Sequence, residues 1–298
     1  MKIAVIGLGD IAEKAYLPVL TAQPGLDLHL MTRDAKKLDR IGDQYRLPHR
    51  HATLAGAVDA GVRAAFVHAA TAAHVEIVET LLRAGVDVYV DKPLAYTLDD
   101  SRRLVELAEA EGRSLCVGFN RRHAPGYVEA ARRDRSLILL QKNRHDLAED
   151  PRTFVFDDFV HVVDTLRFLA PGEVTGTRVR HRRRAGDGLL EHVVLELSGE
   201  GFTALGIMNR ASGSTEEVLE VSGGNGKFEV HNLGDTVDHR DGVPALARRG
   251  DWTPVARQRG IEQVVLRFLD ALRADERLDA RDALRTHEIC ELIVREIG

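Results

Sequence analysis

At 298 residues the chain holds about two domains of roughly 150 residues each, and 44% hydrophobic with 29% charged residues is a globular composition. Forty-one Lys and Arg against 46 Asp and Glu leave a formal charge of −5, so no nucleic-acid partner is expected. Two cysteines, Cys116 and Cys290, exclude a disulfide framework; no apolar run reaches the about 18 residues that cross a bilayer, and the apolar start breaks at Gly7, Gly9 and Asp10. A cytoplasmic protein with no membrane partner is expected.

From the N-terminus, short apolar runs alternate with helical patterns. Strands are expected at Lys2 to Ile6, Leu28 to Met31, Ala64 to Val67, Val86 to Val90 and Leu115 to Val117, with helices near 10–22, 35–45, 72–84 and 98–111. Strands of continuous apolar character between helices predict a parallel, doubly wound Rossmann sheet over residues 1–119, a dinucleotide-binding domain. His49-Arg50-His51 has metal-like spacing but no nearby carboxylate or cysteine in the sequence, and is read as a loop; no metal is expected.

Beyond about residue 135 strands follow one another: Thr175 to Arg184, Leu189 to Leu197, Phe202 to Met208, Glu216 to Val221 and Lys227 to Asn232. Gly199-Glu200 and Ser222-Gly223-Gly224-Asn225-Gly226 read as hairpin loops. Residues 120–298 are therefore expected to form an α+β domain with a largely antiparallel open sheet. Two helices close the chain, the first with Ile261, Val264, Val265, Phe268 and Leu272 as a core-facing stripe. The basic run Arg178 to Arg184 is read as a solvated or subunit-contact face.

Gly7-Leu8-Gly9-Asp10-Ile11-Ala12 follows the first strand and opens the first helix, the context in which a GxGxx(G/A) loop cradles a pyrophosphate. The first glycine permits the tight turn, the second lets backbone approach the ligand, and the small Ala12 allows close helix packing. N–H groups at the helix start, at Asp10 and Ile11, face the anion. An acidic residue at the end of the second strand would select NAD; Thr32 and Arg33 stand there instead, while Asp27 lies at the strand's other end. Arginine pairs with a phosphate bidentately, so NADP is favoured, with NAD as the alternative, and Asp34 is read as a helix cap.

The segments His68-Ala69-Ala70-Thr71-Ala72-Ala73-His74, Asp91-Lys92-Pro93 and Gly118-Phe119-Asn120-Arg121-Arg122 resemble the glucose-fructose oxidoreductase/inositol dehydrogenase (Gfo/Idh/MocA) family. That family's hallmark is Glu-Lys-Pro, here Asp91-Lys92-Pro93. Asp157-Asp158-Phe159-Val160-His161-Val162-Val163-Asp164 resembles its Asp-x-x-x-His-x-x-Asp helix. Departures are Asp91 for glutamate, Ala72 for a frequent proline, and Leu137 to Arg144 where a Gly-Ile-Gly run is usual. The resemblance implies that Ala70, Thr71, His74, Asp91 and Lys92 contact cofactor, that Lys92 approaches the reacting hydroxyl with a peptide bond to Pro93 that is often cis, and that Asp157 orients substrate or His161.

Proton bookkeeping separates the two candidate bases. A lysine at about 10.4 needs roughly 4–5 kcal/mol of destabilisation of its ammonium to act near neutrality, whereas histidine at about 6.5 needs almost none. His161 is therefore assigned as proton acceptor and Lys92 as the hydrogen-bonding electrophile. At about 100° per residue Asp157, His161 and Asp164 share one helix face, opposite Val155, Phe159, Val162, Val163, Leu166 and Leu169. Asn120, Arg122, Lys142 and Arg144 are placed with Asp157 and His161 as substrate contacts, a cationic rim for a sugar-like or polyol substrate. The expectation is an NAD(P)-dependent dehydrogenase acting on CH–OH groups, assembled as a homodimer or homotetramer. The rival is a cofactor-binding regulator of the same fold without turnover.

Overall fold

Four consecutive residues of the first strand, Ile3 to Ile6, are fully buried, as an all-apolar strand must be when helices cover both faces of its sheet. A computed structural model describes residues 1–298. Its first sheet contains β1 (Lys2–Ile6), β2 (Asp27–Met31), β3 (His49–His51), β4 (Ala64–Val67), β5 (Asp87–Val90) and β6 (Leu115–Val117), ordered β3-β2-β1-β4-β5-β6. Every pair is parallel, and the strand order reverses beside β1, the switch point at which doubly wound sheets bind ligands. Polar side chains cap the intervening helices: Asp34, the expected cap, accepts from Lys37 N at 3.0 Å, and Thr53 from Gly56 N and Thr97 from Asp100 N, both at 3.1 Å.

One edge departs from the sequence reading. His49-Arg50-His51 is a strand, not a loop, registered on β2 with His29 opposite His49. Backbone pairing at a sheet edge makes it, and three polar side chains gave no apolar signal. The same register brings the Asp27 carboxylate to 3.2 Å from His49, so the carboxylate that the linear sequence lacks is supplied by a neighbouring strand.

The chain folds as two compact units, Met1–Phe119 with Ile261–Arg285, and Asn120–Gly260 with Thr286–Gly298. Residues 261–285, expected in a continuous 120–298 domain, thus return to the first unit. Their anchor is aromatic: the helix Ile261–Arg273 sets Phe268 edge-on against Phe66, with ring centroids 5.3 Å apart, and 5.8 Å from Tyr89.

The second unit is built on β7 (Leu137–His145), β8 (Gly176–Arg183), β9 (Leu190–Gly199), β10 (Phe202–Ser212), β11 (Glu216–Gly223), β12 (Gly226–His231), β13 (Asp235–Arg240) and β14 (Val243–Ala247). Their order is β14-β13-β12-β11-β7-β10-β9-β8, antiparallel except where β7 runs parallel to β10. Gly224 and Asn225, at φ 53° and 61°, turn β11 into β12 as a two-residue loop with both residues left-handed. The helix Val160–Leu169 lies on β7 and β10, so close that a Cβ on Gly206 would come within 2.5 Å of Val162.

Candidate active site

Gly7 leaves β1 with φ +85°, and a Cβ there would sit 2.5 Å from the Ala69 backbone nitrogen, so conformation and space both demand glycine. Gly9 is the opposite case: nothing lies within 4 Å of the place its Cβ would take. Open space beside a helix start is what a pyrophosphate would need to approach backbone N–H groups. Ala12 is fully buried, as close helix packing requires.

These residues open onto a cavity of about 510 Å³, within the range of small-molecule sites. Of the expected cofactor residues Gly7, Gly9, Thr32, Arg33 and Ala70 line it. Asp10, Ile11, Thr71, His74, Asp91 and Lys92 do not; Asp10 instead pairs with Lys14 at 2.6 Å in solvent. Lys37, Thr53, His68 and Glu76, which the sequence reading did not single out as contacts, do. Arg33 and Lys37 thus place two cations at the end of β2, while Asp34 is engaged as a cap.

Past β5 the Lys92–Pro93 peptide is cis. Its neighbours are held by a buried polar network: Asp91 faces His68 Nδ1 at 3.0 Å and accepts from Tyr16 at 3.0 Å, and the Tyr16 and Tyr89 hydroxyls lie 2.8 Å apart. Burial pushes the Asp91 carboxyl up, but the His68 hydrogen bond and charge, with Lys92 and Tyr16, hold it below its ordinary value. Burial first, then Asp91, raises both tyrosines well above theirs, so the hydroxyls keep their protons and donate. His74, expected on the cofactor, is 1% exposed, with ring nitrogens 2.9 Å from the Pro93 carbonyl and 3.0 Å from that of Ala69. It braces the loop after β4 to the residue following Lys92 rather than opening onto the cavity.

In the second unit Asp157 and His161 are half-buried on consecutive turns. Asp164 does not share an outward face with them. It is 1% exposed and takes both Arg122 nitrogens at 2.8 and 2.6 Å and the Thr286 hydroxyl at 3.1 Å. The reason is what covers it: Arg122 and Thr286 close over the Asp164 carboxylate, although His161 and Asp164 share the regular helix Val160–Leu169 and the π-helical stretch Phe154–Phe159 shifts only Asp157 against them. The opposite stripe, Val155, Phe159, Val162, Val163, Leu166 and Leu169, is buried as expected.

Lys142, expected on a cationic rim, is 2% exposed and its ammonium is bound to Asp158. Arg144 and Arg210 join the same carboxylate at 2.9 and 3.2 Å; burial pushes its pKa up, but Lys142 and Arg144 hold it far below the usual carboxylate range. Burial and the Arg121 charge, opposed by Asp158 and Glu217 and reinforced by Arg144, press Lys142 down to about 7. Arg121 meets Glu217 at 2.7 and 2.6 Å, and Tyr127 donates to it at 2.7 Å. Asn120 donates to the Arg259 carbonyl at 2.6 Å. Tyr16, Tyr89, Glu217 and Arg210 were missed; only Tyr89, two residues before Asp91 and so on the same strand face, had a readable signal.

Residues 1–119 match a family model described as the oxidoreductase family with an NAD-binding Rossmann fold, and residues 125–241 match one described as the YceM-like C-terminal domain. The chain is 34% identical over 283 residues to YceM of Salmonella typhimurium, spanning 92% of this chain and 90% of that protein. It is 29% identical over 200 residues to inositol 2-dehydrogenase of Paracoccus denitrificans, covering 62% and 59%. Among solved structures, a Gfo/Idh/MocA family oxidoreductase from Vibrio cholerae superposes with a TM-score of 0.92 at 32% identity, covering 100% of this chain and 99% of that one.

Proposed function

We infer, because the chain belongs to the Gfo/Idh/MocA family of NAD(P)-binding oxidoreductases, that it is a dehydrogenase moving hydride between NADP and a hydroxyl or carbonyl of a sugar-like or polyol substrate. The observation that carries the nucleotide choice is the pair Arg33 and Lys37 on the cavity wall at the end of β2, where a ribose-binding carboxylate would select NAD. The residues fit the group: Gly7 and Gly9 would hold the pyrophosphate, and Thr32, Arg33 and Lys37 the adenosine end with its extra phosphate. Nicotinamide, when bound, supplies the hydride chemistry.

The chain's own residues supply the proton and the geometry. His161 takes the hydroxyl proton, because the ordinary pKa of an imidazole lies nearer neutrality than that of a lysine ammonium. To Lys92 falls the role of hydrogen-bonding electrophile, with Asp91, His68 and His74 fixing the backbone on either side of it. Asp157 orients substrate or His161, and Asn120, Arg122 and Arg144 contribute substrate contacts. Association into a homodimer or homotetramer through the eight-stranded sheet follows from the same reading; light scattering at a monomer mass would remove it.

The test is titration and turnover of NADPH and NADH with sugars, polyols, inososes and sugar acids. NADPH is expected to bind more tightly, and Arg33→Asp to invert the preference. His161→Ala should lower kcat by roughly 10²–10⁴-fold while leaving nucleotide affinity intact, and Lys92→Ala should lower kcat in the same sense. Tighter NADH binding would overturn the cofactor choice. Nucleotide binding with no turnover on any compound would leave the regulator reading in its place.

A further inference from the structure

Outside the nucleotide cavity, at the first residues of β2, two strands assemble a group of side chains that the reaction does not use. Asp27 and His29 are two apart on β2 and so project from one face, and the parallel register of β3 sets His49 beside His29. His49 Nε2 lies 3.2 Å from one Asp27 oxygen and His29 Nε2 3.6 Å from the other. The His29 ring lies nearly parallel to both neighbours, its centroid 4.4 Å from that of His49 and 5.2 Å from that of His51. None of the three ligating residues lines the cavity.

The central ring is the informative one. His29 is 3% exposed, its Nδ1 is 2.9 Å from His51 Nε2, and its Nε2 is buried without a hydrogen-bond partner. When Nδ1 donates its proton to His51, the Nε2 lone pair points toward the Asp27 carboxylate, two electron-rich groups with nothing between them. A cation there satisfies both. Ligand atoms of Asp27, His29 and His49 all lie within 4.8 Å of one another, and two imidazoles with one carboxylate is a three-ligand set that zinc accepts with a fourth position open. The bond from His29 to His51 is the outer contact that ligating histidines make to fix tautomer and ring orientation.

We propose that Asp27, His29 and His49 form a binding site for a divalent transition-metal ion of the zinc type, which pins the edge strand β3 to β2. Two of the ligands are nearly half exposed, so small rotations of Asp27 and His49 can close the set around an ion without moving the buried His29. A second carboxylate with two histidines, Glu229 with His231 and His239, does not qualify, because Lys227 already occupies Glu229 at 2.5 Å.

The experiment is calorimetry with Zn²⁺ and visible absorption with Co²⁺ on the full chain, for wild type, Asp27→Asn, His49→Ala and His231→Ala. His49 and Asp27 are chosen because both are partly exposed; circular dichroism checks that each variant is folded. Wild type and His231→Ala are expected to bind one ion per chain, with intense visible Co²⁺ bands and a Zn²⁺-dependent rise in Tm. Asp27→Asn and His49→Ala should each weaken binding at least about tenfold and lose that rise. Absence of saturable binding to wild type, or equal binding by all four proteins, would overturn the site, as would a loss confined to His231→Ala. None of these readouts depends on nucleotide binding, so the site and the dehydrogenase reading stand or fall separately.

Discussion

Two glycines, two positions apart in one loop, are required for different reasons, and substitution separates them. Gly7→Ala forces a left-handed backbone and drives a methyl into the Ala69 backbone, so it should cost at least about 1–3 kcal/mol of stability. Gly9→Ala places its methyl in open space, so stability should change by no more than about 0.5 kcal/mol, while nucleotide affinity falls at least about tenfold. Thermal melts and fluorescence titration of both variants check the pair; a Gly9→Ala protein with unchanged affinity would remove the phosphate from that loop. Gly118 shows how a glycine in a quoted motif can serve the interior: its Cβ would stand 2.6 Å from the Tyr89 hydroxyl and 3.2 Å from Asp91. The glycine loop was legible in the sequence because strand, turn and helix leave local signatures. The Tyr16, Tyr89, Asp91 and His68 network was not, because it joins residues from one helix and two strands that only the folded sheet brings together.

At the level of elements, legibility followed burial. β1, β4 and β5 were readable as apolar runs because both their faces are covered, whereas β3 and β13 carry polar side chains and β14 is exposed throughout. β7 escaped for a subtler reason: it begins Leu137 to Leu140 but continues into Lys142 and Asn143, which are buried only because partners neutralise or hydrogen-bond them. That strand has a measurable signature. Lys142 faces Asp158, Arg144, Arg121 and Glu217 and loses its proton near 7, whereas the unfolded chain holds it to about 10.4. The unfolded state therefore binds more protons above about pH 7, and stability contributed by this group rises as pH rises from roughly pH 7 toward 8.5. Denaturant unfolding across that window should show the rise, and Lys142→Met should flatten it; an equal slope in the variant would assign the effect elsewhere. The π-helical stretches Ala12–Tyr16 and Phe154–Phe159 add a second lesson, since both fall in segments singled out for function and neither period could be read from a 3.6-residue pattern.

For the whole molecule, the order of units along the chain is the feature that the sequence concealed. The stripe of Ile261, Val264, Val265, Phe268 and Leu272 declares a buried helix but not which core receives it. The first unit receives it: Phe268 packs on Phe66 and Tyr89, Leu115 N donates to the Leu278 carbonyl at 3.1 Å, and Arg63 reaches Asp275 at 2.8 Å. A fragment of residues 1–119 should therefore melt without a sharp cooperative transition, and addition of residues 261–285 should restore one, read by calorimetry and near-UV circular dichroism. A fragment that melts sharply alone would make the returning helix an ornament.

That return has a consequence in time as well as in space. While the polypeptide is being made, residues 120–260 must leave the ribosome before the helix that covers Phe66 and Tyr89 exists, a wait of roughly 7–30 s at about 5–20 residues per second. During that interval the nascent nucleotide unit presents bare aromatic surface, and whatever shelters it in the cell acts on an incomplete core.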